Sequence, residues 1–136
     1  MSTFDELDQY LVPDYQVDYW SDYAIDHATE LIDQLSDSDW KCLEETWAGK
    51  SATWQIRLVE AAFGSVGHRV VLLLCQMLKT ELKVALAAAE SLEARDDSDT
   101  IDPAVSADLE KLLPSLNGGY YQMVEGLIGR IREQSH

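Results

Sequence analysis

The chain has 136 residues and a formal net charge of −15, and 46% of its residues are hydrophobic. This length and composition predict one folded domain with a substantial core, and they exclude a chain that is disordered throughout. The strongly negative charge and the lack of a basic stripe exclude a typical nucleic-acid-binding protein.

The N-terminal residues, MSTFDELDQY, are acidic and contain no basic segment followed by an apolar one. They therefore do not resemble a secretory signal peptide. The longest apolar run, Val70–Cys75, is far too short to cross a membrane as a helix. We expect the protein to act in the cytoplasm, with no membrane partner.

Negative charge and aromatic side chains are concentrated in the first third of the chain. Residues 1–49 contain thirteen Asp or Glu, a single base at Lys41, and eight of the twelve aromatic residues. A dense negative field attracts basic surfaces and repels nucleic acids and anionic membranes. Aromatic side chains supply contact area and binding energy once a partner has docked. This part of the chain is therefore predicted to capture a basic protein.

Four helices are predicted in the first half of the chain. Their expected ranges are residues 3–11, 18–35, 37–48 and 52–64. Ser36 and Ser51 precede the third and fourth of these ranges and are predicted N-caps, because a Ser hydroxyl accepts a hydrogen bond from a free N–H of the first turn.

The helix predicted over residues 18–35 carries an acidic stripe. Five acids recur along it at spacings of three or four residues and therefore share one face. Like charges at these spacings destabilise a helix by about 0.2–0.5 kcal/mol per pair, so stability alone does not favour this pattern. We interpret the stripe and its adjacent aromatics as a docking surface for a basic partner. The alternative is a solvated helix face with the aromatics turned inward. The predicted partner-binding residues are Asp18, Tyr19, Trp20, Asp22, Tyr23, Asp26, Glu30 and Asp33.

The second half of the chain is also predicted to be helical. Residues 67–79 are apolar nearly all round, which predicts a central, buried helix. Residues 80–95 are rich in Ala, which predicts close packing. The last helix is predicted over residues 119–133. Gly126 and Gly129 inside it each cost about 1 kcal/mol relative to Ala, so we expect close contact there.

The start of the helix before the last one is marked by an Asp-Pro pair. Asp102 is a predicted N-cap and Pro103 a predicted first helical residue, a position where the missing N–H of Pro does no harm.

Residues 52–92 resemble a HEAT-type helical hairpin followed by the start of another. The positions that carry this resemblance are Trp54, Leu58, Ala61, Ala62, Gly64, Val70 to Leu78, Leu82, Val84, Ala85, Ala89 and Leu92. The fold class predicted for the chain is all-α, with six to eight helices in a HEAT-like hairpin stack around a central apolar helix.

One helical domain is predicted over residues 1–136. Its expected parts are the acidic aromatic N-terminal part at 1–49, the HEAT-like middle at 52–95 and a C-terminal helical hairpin at 102–134.

No catalytic, metal or cofactor site is predicted. The acidic stripe spreads its carboxylates over about 20 Å of helix, whereas a metal ion needs ligands that converge on one point. His27, His68 and His136 belong to no motif, and no nucleophile motif of the G-x-S-x-G type is present. Cys42 and Cys75 are too few for a disulfide framework and are predicted to be reduced and buried.

A small, acidic, all-helical chain with a HEAT-like middle resembles the bacterial immunity proteins of polymorphic-toxin systems. The resemblance implies a cytoplasmic inhibitor of a cognate toxin, and it transfers no functional residues. The predicted function is therefore to bind and inhibit a basic toxin or effector domain, such as a nuclease, without enzymatic activity. The alternative is a secretion chaperone or helical adaptor that holds its partner without inhibiting it.

Overall fold

The computed structural model describes residues 2–12, 20, 24–95 and 101–134. Within these residues the chain forms α-helices and short 3₁₀ turns and no strand, and none of the helices is both long and apolar enough to cross a membrane. The predicted all-α class with six to eight helices is confirmed. The helices are α1 (Thr3–Leu11), α2 (Ile25–Asp33), α3 (Asp37–Thr46), α4 (Ala52–Ala62), α5 (His68–Met77), α6 (Leu82–Ala94), α7 (Val105–Glu110) and α8 (Gly118–Gln134).

Serine caps fix where the early helices begin. The Ser36 hydroxyl accepts from the Asp39 N–H at 3.2 Å and starts α3, and the Ser51 hydroxyl accepts from the Trp54 N–H at 3.2 Å and starts α4. Both predicted N-caps are confirmed. The start predicted for α2, at residue 18, lies outside the described residues.

The helix predicted to start at Asp102 begins later, at Val105. The Asp102 carboxylate accepts from the Ala104 N–H at 2.9 Å, two residues on, in the manner of an Asx turn. The hydrogen bond expected of a capping Asp is therefore present, but it caps the turn that leads into the helix, and the regular α-helix begins at Val105.

The chain divides into two compact units, an N-terminal unit (Met1–Ser65) and a C-terminal unit (Val66–His136). The sequence of the first contains fourteen acids and three bases, and that of the second eleven acids and seven bases. The boundary therefore also separates a net charge of −11 from one of −4. It falls inside the segment that resembles a HEAT hairpin. The single domain and the HEAT-like stack stay predictions.

In the N-terminal unit, α1 packs against α2, α3 and α4, and α2 packs against α4. The core contains Leu7, Leu11, Leu43 and Leu58, each fully buried. Three tryptophans at a spacing of seven residues, Trp40, Trp47 and Trp54, are also buried in this core.

In the C-terminal unit, α5 packs against α6, and α8 packs against α6 and α7. Small side chains on α6 allow this close approach, since Ala85, Ala88 and Ala89 are fully buried. Arg130 of α8 donates from Nη2 to the Glu93 carbonyl oxygen at 2.8 Å. It thereby satisfies a carbonyl that the end of α6 leaves without a helical partner.

Two expectations for the C-terminal unit are wrong. Helix α5 is not buried on every side, because Leu72 is 46% exposed. Gly126 and Gly129 are exposed, and a Cβ added at either would meet no atom of the described residues within 4 Å. The described part of the chain therefore makes no close contact at these two glycines.

The burial pattern of α5 predicts that two adjacent leucines contribute differently to the free energy of unfolding. Leu73 is 4% exposed, so Leu73→Ala should lower the free energy of unfolding by about 2–5 kcal/mol through lost transfer energy and a new cavity. Leu72→Ala is the matched control and should lower it by less than about 1 kcal/mol. Urea denaturation of both variants measures the difference. Equal losses would contradict the packing of α5 described above.

Candidate functional site

Helix α2 presents one buried face and one acidic exposed face. Its buried side contains Ala28, Leu31 and Ile32. The Thr29 hydroxyl bonds to the Ala61 carbonyl oxygen at 2.7 Å and fixes α2 against α4. This orientation leaves the opposite face of the helix to solvent.

Gly64 allows the close approach between the Thr29 side chain and the end of α4. A Cβ at Gly64 would lie 2.9 Å from Thr29 Cγ2, closer than real contacts of this kind. The Ser65 hydroxyl donates to the Thr29 carbonyl oxygen at 3.4 Å from the same turn. The position of α2 is thus set by contacts around one threonine.

The predicted partner-binding residues divide into three groups. Asp26, Glu30 and Asp33 are exposed and share the outer face of α2, as the stripe predicts. Trp20 is only 3% exposed, so its indole belongs to the core and is not a surface anchor. The remaining four lie outside the described residues: Asp18, Tyr19, Asp22 and Tyr23.

Arg57 packs against the buried ring of Trp20. This arginine is itself buried, and its guanidinium carbon lies 5.3 Å from the centroid of the Trp20 ring. Its Nη1 also donates to the Val12 carbonyl oxygen at 2.8 Å. Both contacts stabilise a buried cation. Arg57 therefore adds no positive charge to the surface.

Lys50 makes contacts inside the same unit. Its Nζ lies 3.2 Å from Asp8 Oδ1 and 5.4 Å from the centroid of the Trp54 ring. Asp8 Oδ1 also accepts from Trp54 Nε1 at 2.9 Å. Asp8 is thus a structural acid that connects α1 to α4, and it neutralises Lys50.

The surface of the N-terminal unit is consequently acidic with little compensation. Among its described residues the exposed base is Lys41, because Lys50 is half-buried and Arg57 is buried. The exposed acids are Asp5, Glu6, Asp26, Glu30, Asp33, Asp37, Glu44, Glu45 and Glu60. A surface with this imbalance attracts cationic groups and repels anions.

Asp39 is an acid with a structural role. Its Oδ2 accepts from the Ser36 N–H at 3.1 Å, and its Oδ1 accepts from the Phe4 N–H at 3.4 Å, which ties the start of α1 to the start of α3. The backbone hydrogen bond from Ser36 is the main reason that the pKa of Asp39 lies below its ordinary value of 3.8. The Ser36 hydroxyl and the Phe4 N–H lower it further.

The histidines and cysteines form no recognisable catalytic or metal centre in the described part of the chain. Within those residues no group of three His, Cys, Asp or Glu side chains could hold a metal ion. The ring of His27 packs against that of Tyr10 at a tilt of 52°, with ring centroids 4.6 Å apart, and His27 Nδ1 lies 3.8 Å from Glu30 Oε2. Cys75 is buried as expected, but Cys42 is only half-buried, and both are free thiols.

Sequence reasoning missed Asp8, Lys50 and Arg57. Asp8 and Arg57 act on residues 45 or 46 positions away along the chain, and no local pattern signals such contacts. The one sequence feature that could have drawn attention to these contacts is the small number of bases in residues 1–65.

Comparison with known proteins gives no independent assignment. No protein-family model, no curated protein and no solved structure matches this chain. The resemblances to HEAT repeats and to immunity proteins therefore stay predictions, and the function has to be inferred from charge, burial and contacts within the chain.

The low pKa of Asp39 predicts a pH-dependent contribution to stability. Because the native pKa lies below the ordinary value of 3.8, the folded state binds this proton more weakly than the unfolded chain. The stabilisation is present above pH 3.8 and is lost as the pH falls through the lowered native pKa. Asp39→Asn should therefore be less stable than the parent at pH 7, and the difference should shrink in acid.

Urea midpoints of the parent and Asp39→Asn, measured from pH 7 downward to below pH 3.8, test this effect. Glu44→Gln is the control, since this exposed acid is on the same helix. A stability difference for Asp39→Asn that stays constant with pH would contradict the role given to its carboxylate.

Proposed function

We propose that this chain is an immunity-type protein that binds a basic toxin or effector domain, such as a nuclease, and inhibits it. The observation that supports this proposal most is the acidic surface of the N-terminal unit, where nine exposed acids accompany one exposed base, Lys41, among the described residues. A nuclease domain has a basic cleft, since it must bind the phosphates of its substrate. An acidic surface that covers such a cleft both holds the domain and excludes nucleic acid.

The binding mode that follows is electrostatic attraction followed by contact on α2. Asp26, Glu30 and Asp33 would form charge-assisted hydrogen bonds with Lys or Arg of the partner. Trp20 has no part in this contact because it is buried. Complementary charge speeds association, and groups that lose water at the interface slow release. The protein would act stoichiometrically, in the cytoplasm, and not as an enzyme.

Co-expression with a toxin tests the proposed inhibition directly. Basic domains encoded beside this gene are expressed alone and together with this chain, and host growth and the activity of the purified complex are measured. Inhibition predicts restored growth and a complex without activity. A stable complex that keeps its activity would support the alternative, a secretion chaperone or adaptor, and would overturn the inhibitor.

Charge reversal on α2 tests the surface itself. Replacing Asp26, Glu30 and Asp33 by Lys should weaken partner binding by about 100-fold or more, because like charges at an interface cost several kcal/mol. The three side chains are exposed, so the melting temperature should change little.

The matched control changes the net charge of the protein by the same amount in the C-terminal unit. It replaces Glu81, Glu93 and Glu125, all exposed, by Lys. This control should bind far more tightly than the α2 variant. Equal affinities of the two variants would show that total charge, and not the face of α2, governs binding.

A further inference from the structure

A small cavity lies in the C-terminal unit between α5 and residues 101–108. Its volume is about 180 Å³. The apolar part of its wall is formed by Val71, Ile101 and Val105, which are all buried. An apolar cavity of about 150 Å³ is large enough to bind benzene. The space therefore fits a ligand body of the size of one aromatic ring.

Carboxylates give this cavity a negative wall. Asp102 and Asp108 both line it, and neither forms an ion pair with another described residue. The Asp102 carboxylate makes one hydrogen bond, from the Ala104 N–H to Oδ1, and keeps further acceptor capacity. Lys79 lines the cavity as well but pairs with neither acid.

The thiol of Cys75 lies beside both carboxylates in the wall of the cavity. Its side chain lines the wall and is only 7% exposed. Its pKa is raised to about 11, first by burial and then by the Asp102 and Asp108 carboxylates. Lys79 acts in the opposite direction, but less strongly than either acid. Two carboxylates against one ammonium therefore leave the lining of the cavity with an excess of negative charge.

We propose that this cavity binds a small amphipathic cation, a primary ammonium group attached to an apolar body of about one aromatic ring in size. The ring lies against Val71, Ile101 and Val105. The ammonium donates its N–H groups to Asp102 and Asp108. An anion of the same shape is repelled, and a neutral isostere lacks the charge-assisted bonds. This site lies in the C-terminal unit and does not depend on the function proposed for the N-terminal unit.

NMR titration of the full chain with benzylamine, which is protonated at pH 7, tests the site. Benzyl alcohol and benzoate have the same size and serve as the neutral and anionic probes. Benzylamine should shift the methyl signals of Val71, Ile101 and Val105 and should bind about tenfold more tightly than benzyl alcohol, with benzoate weakest. Equal affinities of the amine and the alcohol, or shifts confined to the acidic residues of α2, would overturn the proposal.

Variants separate the two parts of the site. Asp108→Asn should remove most of the preference for benzylamine over benzyl alcohol, whereas the exposed control Glu81→Gln should keep it. Cys75→Leu fills the cavity and should abolish binding of the amine and the alcohol. A preference unchanged in Asp108→Asn would overturn the charge recognition. If Asp108→Asn fails to fold, the comparison of the three probes on the parent chain decides the question.

Discussion

The surface charge of the N-terminal unit depends on whether its few basic side chains are buried or exposed. Arg57 is buried under Trp20 and bonded to the Val12 carbonyl, and Lys50 is paired with Asp8. Two of the three bases in residues 1–65 thus stabilise the fold and contribute little to the surface. The same two cations lie beside the buried indoles of Trp20 and Trp54. Because they are used inside the fold, the exposed acids of this unit have few exposed bases near them.

The C-terminal unit distributes its charge in another way. Arg132 forms an ion pair with Glu110, and Arg130 donates hydrogen bonds to the carbonyl oxygens of Leu92 and Glu93 at the end of α6. Seven bases against eleven acids leave this unit with a smaller excess of negative charge. Two of its acids, Asp102 and Asp108, line a pocket of about 180 Å³. The two units therefore present different features, a broad acidic face in one and a small pocket with an acidic wall in the other.

Local patterns predicted the helices well, whereas contacts between helices had to be observed. Ser36 and Ser51 mark helix starts because a cap bonds within its own first turn. The exposure of Asp26, Glu30 and Asp33 follows from the helical period. Trp20 is buried against Arg57, which lies 37 positions later in the sequence, so the acidic stripe alone could not show whether Trp20 is a surface anchor or a core residue. The close packing expected at Gly126 and Gly129 was wrong, because the sequence alone does not show whether another element packs against a glycine in a helix.

We propose that the exposed acids of the N-terminal unit attract a basic partner through long-range electrostatic forces. The most direct test is the association rate constant measured by stopped flow as a function of ionic strength. We expect a rate constant near 10⁸ M⁻¹ s⁻¹ or higher at low salt, falling toward about 10⁶ M⁻¹ s⁻¹ once the Debye length drops well below about 8 Å. A rate constant that does not change with salt would contradict it, because association would then proceed without help from these acids.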